Sequence, residues 1–245
     1  MKRAAVLLAA ALLLGGAEKH SGYGDATQAV RAMQDDDGAN PAMLWVGQGE
    51  TLWNQKTGSA GTSCASCHGE PSSMRGVAAR YPIFAGRPVT LPERVNQCRT
   101  EHQGAPALDE DGDEMLALTG LVGMQSRGMT VAVDASGPAQ AALAHGRALF
   151  NQRMGQLNLS CAQCHDELAG HHLGGSTIPQ GHPNGYPEYR LEWQGMGSLY
   201  RRLRGCMAGV RADPFPPGSP ELAALEFYLG WRANGLEVET PAVRP

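Results

Sequence analysis

The stretch Cys64-Ala65-Ser66-Cys67-His68 recurs 97 residues further along the chain as Cys161-Ala162-Gln163-Cys164-His165. In such a motif the two cysteine thiols bond covalently to haem, and the histidine that follows reaches the iron. A disulfide framework and a zinc ribbon also use cysteine pairs, but neither explains a histidine directly after both pairs. The motifs therefore predict two covalently bound c-type haems, with His68 and His165 as iron ligands.

The N-terminus indicates export. Lys2 and Arg3 precede an apolar run, Ala4–Leu14, that ends in small residues, which is typical of a cleaved signal peptide over residues 1–17. That run is short for a bilayer span, and no later stretch approaches the roughly 20 apolar residues that a transmembrane helix needs. We expect a periplasmic protein without a membrane span, with a retained N-terminal anchor as the alternative. The net charge of -4 gives no sign of nucleic-acid binding.

The two halves of the chain resemble each other beyond the haem motifs. At the offset of 97, the residues Gly49, Leu52, Trp53, Asn54, Gln55 and Gly58 align with Gly146, Leu149, Phe150, Asn151, Gln152 and Gly155. At an offset of 107, Ala117-Leu118, Gly123 and Gly128 align with Ala224-Leu225, Gly230 and Gly235. The changed offset predicts an insertion in the second copy, in the loop 169–187. The repeat indicates an internal duplication.

The predicted fold is all-α, with two tandem cytochrome c-like haem domains and extensive loops. Short helices over 50–54 and 141–150 precede the haem motifs, and apolar residues at helical spacing predict later helices over 114–125 and 220–233. Gly128 and Gly235 follow as helix-ending glycines. A boundary at Ser136-Gly137-Pro138 divides the mature chain into an N-terminal domain, 18–137, and a C-terminal domain, 138–245.

Two lone cysteines occupy comparable places in the two copies. Leu91, Arg94 and Val95 precede Cys98 at the distances at which Leu199, Arg202 and Leu203 precede Cys206. In a small cytochrome c, a methionine in this region ligates the iron, so the repeated cysteine favours thiolate ligation and low reduction potentials. A disulfide between Cys98 and Cys206, inert buried thiols, or ligation by Met124, Met129, Met196 or Met207 are the alternatives.

The surroundings of the two cysteines differ in charge. Arginines surround Cys206, with Asp213 as the nearest acid, whereas two glutamates offset the arginines near Cys98. The arginines of the second copy are Arg201, Arg202, Arg204 and Arg211. Such an excess of positive charge lowers a thiol pKa and attracts a small dianion. We therefore expect Cys206 to be the more reactive cysteine.

Over the whole mature chain, these residues resemble the SoxA family, subunits of the SoxAX cytochromes. The resemblance rests on both haem motifs and on the segments Asn96–Glu101 (NQCRTE) and Arg202–Arg211 (RLRGCMAGVR). It implies that Cys98 and Cys206 are the axial ligands of the N-terminal and C-terminal haems. It further implies that Cys206 is the catalytic residue, able to carry a persulfide. Arg202 contacts the substrate in this comparison, and we expect Arg211 to assist in binding its sulfonate oxygens.

The same resemblance implies an activity and partners. The activity is that of an L-cysteine S-thiosulfotransferase, which begins the Sox pathway by coupling thiosulfate oxidatively to a cysteine of SoxY in the SoxYZ carrier. Electrons pass to the haem of SoxX, a heterodimer partner, and on to a small cytochrome c. A dihaem thiosulfate dehydrogenase that forms tetrathionate and a pure dihaem electron carrier are the competing hypotheses. A dihaem peroxidase is disfavoured, because the chain offers a cysteine twice at the sixth position.

Overall fold

A computed structural model of the protein describes residues 18–245, so the predicted signal peptide lies outside the described residues. The helices are α1 (Gly22–Asp25), α2 (Gln28–Asp35), α3 (Met43–Asn54), α4 (Cys64–His68), α5 (Leu91–Cys98), α6 (Asp113–Met124), α7 (Gln140–Asn151), α8 (Leu199–Gly209) and α9 (Pro220–Arg232). The strands are β1 (Ile83–Phe84), β2 (Pro88–Val89), β3 (His172–Leu173), β4 (Ser176–Thr177), β5 (Glu188–Arg190), β6 (Gly195–Gly197) and β7 (Ala242–Arg244). Within these residues, no helix is long and apolar enough to cross a membrane.

Each copy is built on one crossed pair of helices. Helix α3 packs across α6 in the first copy, and α7 packs across α9 in the second. Gly49 and Gly146 lie at the two crossings, where an added Cβ would overlap the backbone carbonyls of Ala117 and Ala224. Only glycine lets the backbones come this close. The aligned glycines and alanines of the sequence repeat therefore mark one conserved packing contact in each copy, which confirms the duplicated frame.

The four predicted helices are confirmed, although α3 begins seven residues earlier than predicted. Gly128 and Gly235 have positive φ values of 75° and 91°, but the prediction that they cap the helices is wrong, because Gln125 and Ala233 are the C-caps of α6 and α9. Trp53 and Phe150 are both buried in the cores of their copies. In the second copy, the cluster around Phe150 also includes Leu149, Leu225 and Leu229.

The all-α prediction is not confirmed. Two short antiparallel hairpins, β1–β2 and β3–β4, accompany a three-stranded sheet in the order β6-β5-β7. Strand β5 is the central strand. It pairs in parallel with β7 on one side and in antiparallel orientation with β6 on the other. Strands of two or three residues are too short to show an alternating pattern in the sequence. The pairing of β5 with β7, which are far apart in the chain, leaves no local signal either. The fold is thus mainly helical, with a small sheet attached to the second copy.

The two copies share a core and polar contacts. One hydrophobic cluster joins Val131 and Val133 of the first copy to Phe227 and Val238 of the second. Across the same interface, the Asp111 carboxylate accepts hydrogen bonds from Ser198, at 3.0 Å from the backbone nitrogen and 2.8 Å from the hydroxyl. Ser198 is the N-cap of α8. The first copy therefore fixes the start of the helix that carries Cys206.

Candidate functional site

A cavity in the second copy brings the predicted haem ligands together. Cys161, His165 and Cys206 line it, with Phe150 and Leu229 among the apolar residues of its wall. Its open space, counted together with solvent at the mouth, amounts to about 1160 Å³. A histidine and a lone cysteine facing one apolar cavity, beside the haem-binding cysteines, form the donor set that a covalent haem requires.

Helix α8 supplies both predicted functional residues of this cavity. Ser198 caps its N-terminus by accepting a hydrogen bond from the backbone nitrogen of Arg201. Arg202 and Cys206 are four residues apart, so they lie on the same face of the helix, one turn from each other. Both line the cavity. The four-residue spacing in the sequence therefore places Arg202 and Cys206 on one face of α8, at the same cavity.

The ring of His165 is fixed by the inserted loop. Its Nδ1 lies 2.7 Å from the carbonyl oxygen of Pro179, and the imidazole packs against Gly181, at which an added Cβ would lie 3.0 Å from the ring. Burial lowers the pKa of His165, although the bond to Pro179 raises it in part. A neutral imidazole that donates its Nδ1 proton to a carbonyl presents Nε2 to the metal, as ligating histidines normally do.

The motif cysteines of the second copy are partly buried and interact electrostatically with Cys206. Burial, followed by the negative potential of Cys206, raises the pKa of the Cys161 thiol to about 11. The same two causes, in the same order, raise the pKa of Cys164. Ser160 and Gln163 exchange hydrogen bonds at the start of the motif, an N-terminal capping arrangement that fixes the loop. The residues present in the second copy therefore fit a covalent haem c.

The first copy repeats the arrangement in a more open form. Burial raises the pKa of Cys64, and the nearby Cys98 raises it further, while Arg99 lowers it. Ser63 and Ser66 form the capping box of α4, and the ring of Trp53 lies 5.8 Å from that of His68. Cys67 and His68 are exposed. Among residues 18–245, no hydrogen bond holds the His68 ring in the way that Pro179 holds His165.

The structure distinguishes between the alternatives for Cys98 and Cys206. All six cysteines lie in the described part of the chain and are free thiols, so the interdomain disulfide between Cys98 and Cys206 is wrong. None of the methionines named as alternative ligands lines the cavity of Cys206, whereas Met124 packs against the same core cluster as Cys64 in the first copy. Met196 is buried against Leu116, Met129 packs in the interdomain cluster, and Met124 packs in the core of the first copy. Met207 lines a separate cavity.

Of the arginines that the sequence singled out near Cys206, only Arg202 lines the cavity. Arg201 lies over the ring of Trp193 at 4.3 Å, and Arg204 lies over Tyr200 at 5.6 Å. Arg211 lines a separate cavity with Met207, and its guanidinium contacts Gln156 at 3.5 Å. The structure therefore brings Arg202 to Cys206 but does not bring Arg211 there.

Sequence reasoning missed the charged residues of β5 and the loop after it. Glu188, Arg190 and Glu192 line the same cavity as Cys206. They reach it only because β5 pairs with β7 at the end of the chain. The alternation of acidic and basic residues from 188 to 192 was the one signal in the sequence, and by itself it is typical of an ordinary exposed strand.

Comparison with known proteins identifies the family of this chain. Residues 48–131 and 145–238 both match the family described as SoxA/TsdA, cytochrome c domain. The L-cysteine S-thiosulfotransferase subunit SoxA of Rhodovulum sulfidophilum is 40% identical over 93% of this chain and 80% of its own length. That of Pseudaminobacter salicylatoxidans is 43% identical over 88% of this chain and 77% of its own. The chain belongs to the SoxA family.

A solved structure supports the SoxA assignment at the level of the fold. The crystal structure of SoxXA from P. pantotrophus contains a chain that is 39% identical and superimposes with a TM-score of 0.89. The match covers 92% of this chain and 87% of that one. Membership of a cytochrome c family, together with the cysteine and histidine geometry, identifies covalent haem c as the cofactor.

Proposed function

We propose that the chain catalyses the oxidative coupling of thiosulfate to a cysteine of a carrier protein, as an L-cysteine S-thiosulfotransferase subunit. The observation that carries this proposal is the position of Arg202 and Cys206 on one face of α8, in the same cavity as His165. SoxA relatives at about 40% identity bear this activity in their names. An electron carrier without a substrate would not need a cation and a thiol at one cavity.

We assign two haems c to the chain, one on each motif. His68 and Cys98 would hold the first iron, and His165 and Cys206 the second. Cys64 and Cys67 would bind the first haem covalently, and Cys161 and Cys164 the second. When bound, the second haem supplies a one-electron acceptor next to the Cys206 sulfur.

The reaction balances as two steps. In the first, the Cys206 thiol and the outer sulfur of thiosulfate form a sulfur–sulfur bond, giving Cys–S–S–SO₃⁻ and releasing one proton and two electrons to the cytochrome chain. In the second, the thiolate of the carrier cysteine attacks the sulfur that bears the sulfonate. The bond between Cys206 and that sulfur breaks, Cys206 leaves as a thiolate that can take up the proton given up by the carrier thiol, and there is no net oxidation or reduction. A covalent intermediate of this kind divides one difficult coupling into two easier steps.

Arg202 binds and orients the substrate in this scheme. Its planar guanidinium offers parallel N–H donors that match two sulfonate oxygens. Because Arg202 lies one helical turn before Cys206, a sulfonate held there directs the outer sulfur of thiosulfate towards the thiol. Arg211, which the sequence suggested as a second sulfonate-binding residue, has no role in this scheme because it lines another cavity.

We further propose three partners and a compartment. The related chain from P. pantotrophus was solved as SoxXA, so we expect a SoxX-type monohaem cytochrome to bind this chain and receive its electrons. A small cytochrome c would be the next acceptor. A SoxYZ-type carrier would present the accepting cysteine. The signal-like N-terminus predicts that these reactions occur in the periplasm.

Product analysis tests the proposal. The holoprotein with its SoxX-type partner, oxidised cytochrome c, thiosulfate and the SoxYZ carrier should reduce cytochrome c and add an S–SO₃ group to the carrier cysteine, detected by intact-protein mass spectrometry. A carrier in which that cysteine is replaced by serine is the control and should stop turnover. Tetrathionate formed at an equal rate with either carrier would instead support a thiosulfate dehydrogenase. No thiosulfate-dependent reduction at all would leave only an electron carrier.

A further inference from the structure

Four charged side chains form a continuous chain of ion pairs at the cavity of Cys206. The carboxylate of Glu192 accepts from Arg190 Nε at 2.8 Å and from Arg202 Nη1 at 3.4 Å, both at the same oxygen, Oε1. Arg190 donates through its other arm, from Nη1 to Glu188 at 3.0 Å. The guanidinium assigned to the substrate is therefore already paired with a carboxylate of the protein.

The inner part of this chain of ion pairs does not depend on Glu192. The Arg190 side chain is 13% exposed and Glu188 only 5%, so these two residues form a largely buried pair. Arg190 also lies over the ring of Trp193 at 5.2 Å. A guanidinium held by Glu188 and by an aromatic face keeps its place without a third partner. Glu192 thus bridges two guanidiniums, and Arg190 keeps Glu188 as a partner when Arg202 exchanges Glu192 for another anion.

The outer ion pair, between Glu192 and Arg202, is weak and accessible to solvent. Glu192 is 50% exposed and Arg202 is 35% exposed, and their contact of 3.4 Å is long for a charged hydrogen bond. Exposed ion pairs of this kind contribute little, because water screens them and the side chains lose freedom. A ligand with two negative charges that enters the cavity can therefore replace the carboxylate at Arg202.

We propose that Glu192 is a positioning residue that holds Arg202 at the cavity in the resting protein and competes with the sulfonate of the substrate for its guanidinium. This inference rests on the proposed function, since it takes thiosulfate as the anion that Arg202 binds. Glu192 lowers the affinity for thiosulfate and leaves the chemical step unchanged, because its carboxylate leaves Arg202 when the substrate arrives. A purely structural residue would instead affect stability or turnover at saturation.

The test is the variant Glu192→Gln in the holoprotein with its SoxX-type partner and the carrier. The amide keeps the size of the side chain and an oxygen that can accept from Arg190, but it removes the charge that competes at Arg202. The KM for thiosulfate should fall by about 2–5-fold, the range given by an exposed ion pair, while kcat stays within twofold. Glu50→Gln, at an exposed position on α3, is the matched control and should change neither constant.

Binding measured without turnover separates this inference from the proposed function. Isothermal titration of thiosulfate into the holoprotein alone should show the same gain in affinity for Glu192→Gln. An unchanged affinity and KM in the variant would overturn the inference while leaving the activity intact. A raised KM would also overturn it, because it would mean that the carboxylate assists substrate binding. If the wild type binds thiosulfate but turns nothing over, the proposed function fails and the titration still decides the role of Glu192.

Discussion

The two copies share one helical frame, yet their histidines have different surroundings. In the first copy His68 is exposed and packs only beside Trp53. In the second, the inserted loop supplies the Pro179 carbonyl to His165, and β5 and the residues after it place Glu188, Arg190 and Glu192 around the cavity of Cys206.

This difference teaches where function was added after duplication. The crossing helices, the haem motif and the lone cysteine occur in both copies and are what a covalent haem requires. The insertion, the small sheet and the charged side chains belong to the second copy alone, and they control what can approach the sulfur of Cys206. Scaffold and reactivity are thus carried by different segments, as is usual when a site is added to an existing fold.

The largest expected effect comes from replacing each lone cysteine in turn by alanine. Cys206→Ala should reduce thiosulfate-dependent turnover by about 10³-fold or more, since it removes the nucleophile. Cys98→Ala, at the matching position in the first copy, should keep most of the activity. The measurement is cytochrome c reduction by variants shown spectroscopically to retain both haems. Equal losses in the two variants would contradict a division of labour between the copies.

A second comparison uses the arginines four residues before those cysteines. Arg202→Ala should lower kcat/KM for thiosulfate by about 10–100-fold, the range expected when a hydrogen bond to a charged group is lost. Arg94→Ala makes the same change in the first copy and should leave kcat/KM near the wild-type value. Arg202→Lys keeps the charge but loses the planar fork, so it should recover only part of the activity. Steady-state kinetics over a range of thiosulfate concentrations would show whether Arg94 matters as much as Arg202.

The frame itself should respond alike in both copies. Gly49→Ala and Gly146→Ala each insert a Cβ into a helix crossing and should cost about 1–3 kcal/mol of stability. For a chain of this size each kcal/mol corresponds to a fall of about 2–4 °C in Tm. Gly47→Ala lies on the same helix as Gly49 with open space around it, so it should not destabilise. The measurement is the Tm of each holoprotein in thermal unfolding. An unchanged Tm for either Gly49→Ala or Gly146→Ala would contradict the duplicated helix contact.

The smallest effect concerns the loop that covers His165. Gly181 and Gly174 both have positive φ, at 72° and 60°, so alanine at either position costs about 1–2 kcal/mol of local strain. Only at Gly181 would the new Cβ press on the His165 ring. Gly181→Ala should therefore shift the reduction potential of the second haem, and Gly174→Ala should not. The measurement is a redox titration followed by visible spectroscopy. Equal reduction potentials of the second haem in Gly181→Ala and Gly174→Ala would contradict a role of this loop in positioning His165.

The parts of the molecule that could be predicted from the sequence are those set by local chemistry. The haem motifs, the long helices and the pairing of Arg202 with Cys206 all depend on spacing within a single turn or helix. Arg211 shows the limit of such reasoning, because α8 ends at Gly209 and the chain turns at Arg211, whose φ is 59°. Two residues after the end of a helix, a side chain no longer follows the helical face.

The remaining parts depend on contacts between distant segments. Glu192 reaches the cavity through a sheet completed by β7 near the C-terminus, and Asp111 reaches the N-cap of α8 from the other copy. The carbonyl of Pro179 has no side-chain signal in the sequence. Periodicity and motif spacing carry no information about such pairings, so they required the three-dimensional structure.

The central claim is that thiosulfate chemistry occurs on Cys206 and not on Cys98. The most direct measurement incubates the holoprotein and its SoxX-type partner with thiosulfate and oxidised cytochrome c, without the carrier, and maps added sulfur by peptide mass spectrometry. The account predicts an S–SO₃ group, or the single sulfur left when water hydrolyses that group and releases sulfate, on the peptide containing Cys206. An adduct on the Cys98 peptide, or unmodified cysteines in a preparation that reduces cytochrome c, would contradict it.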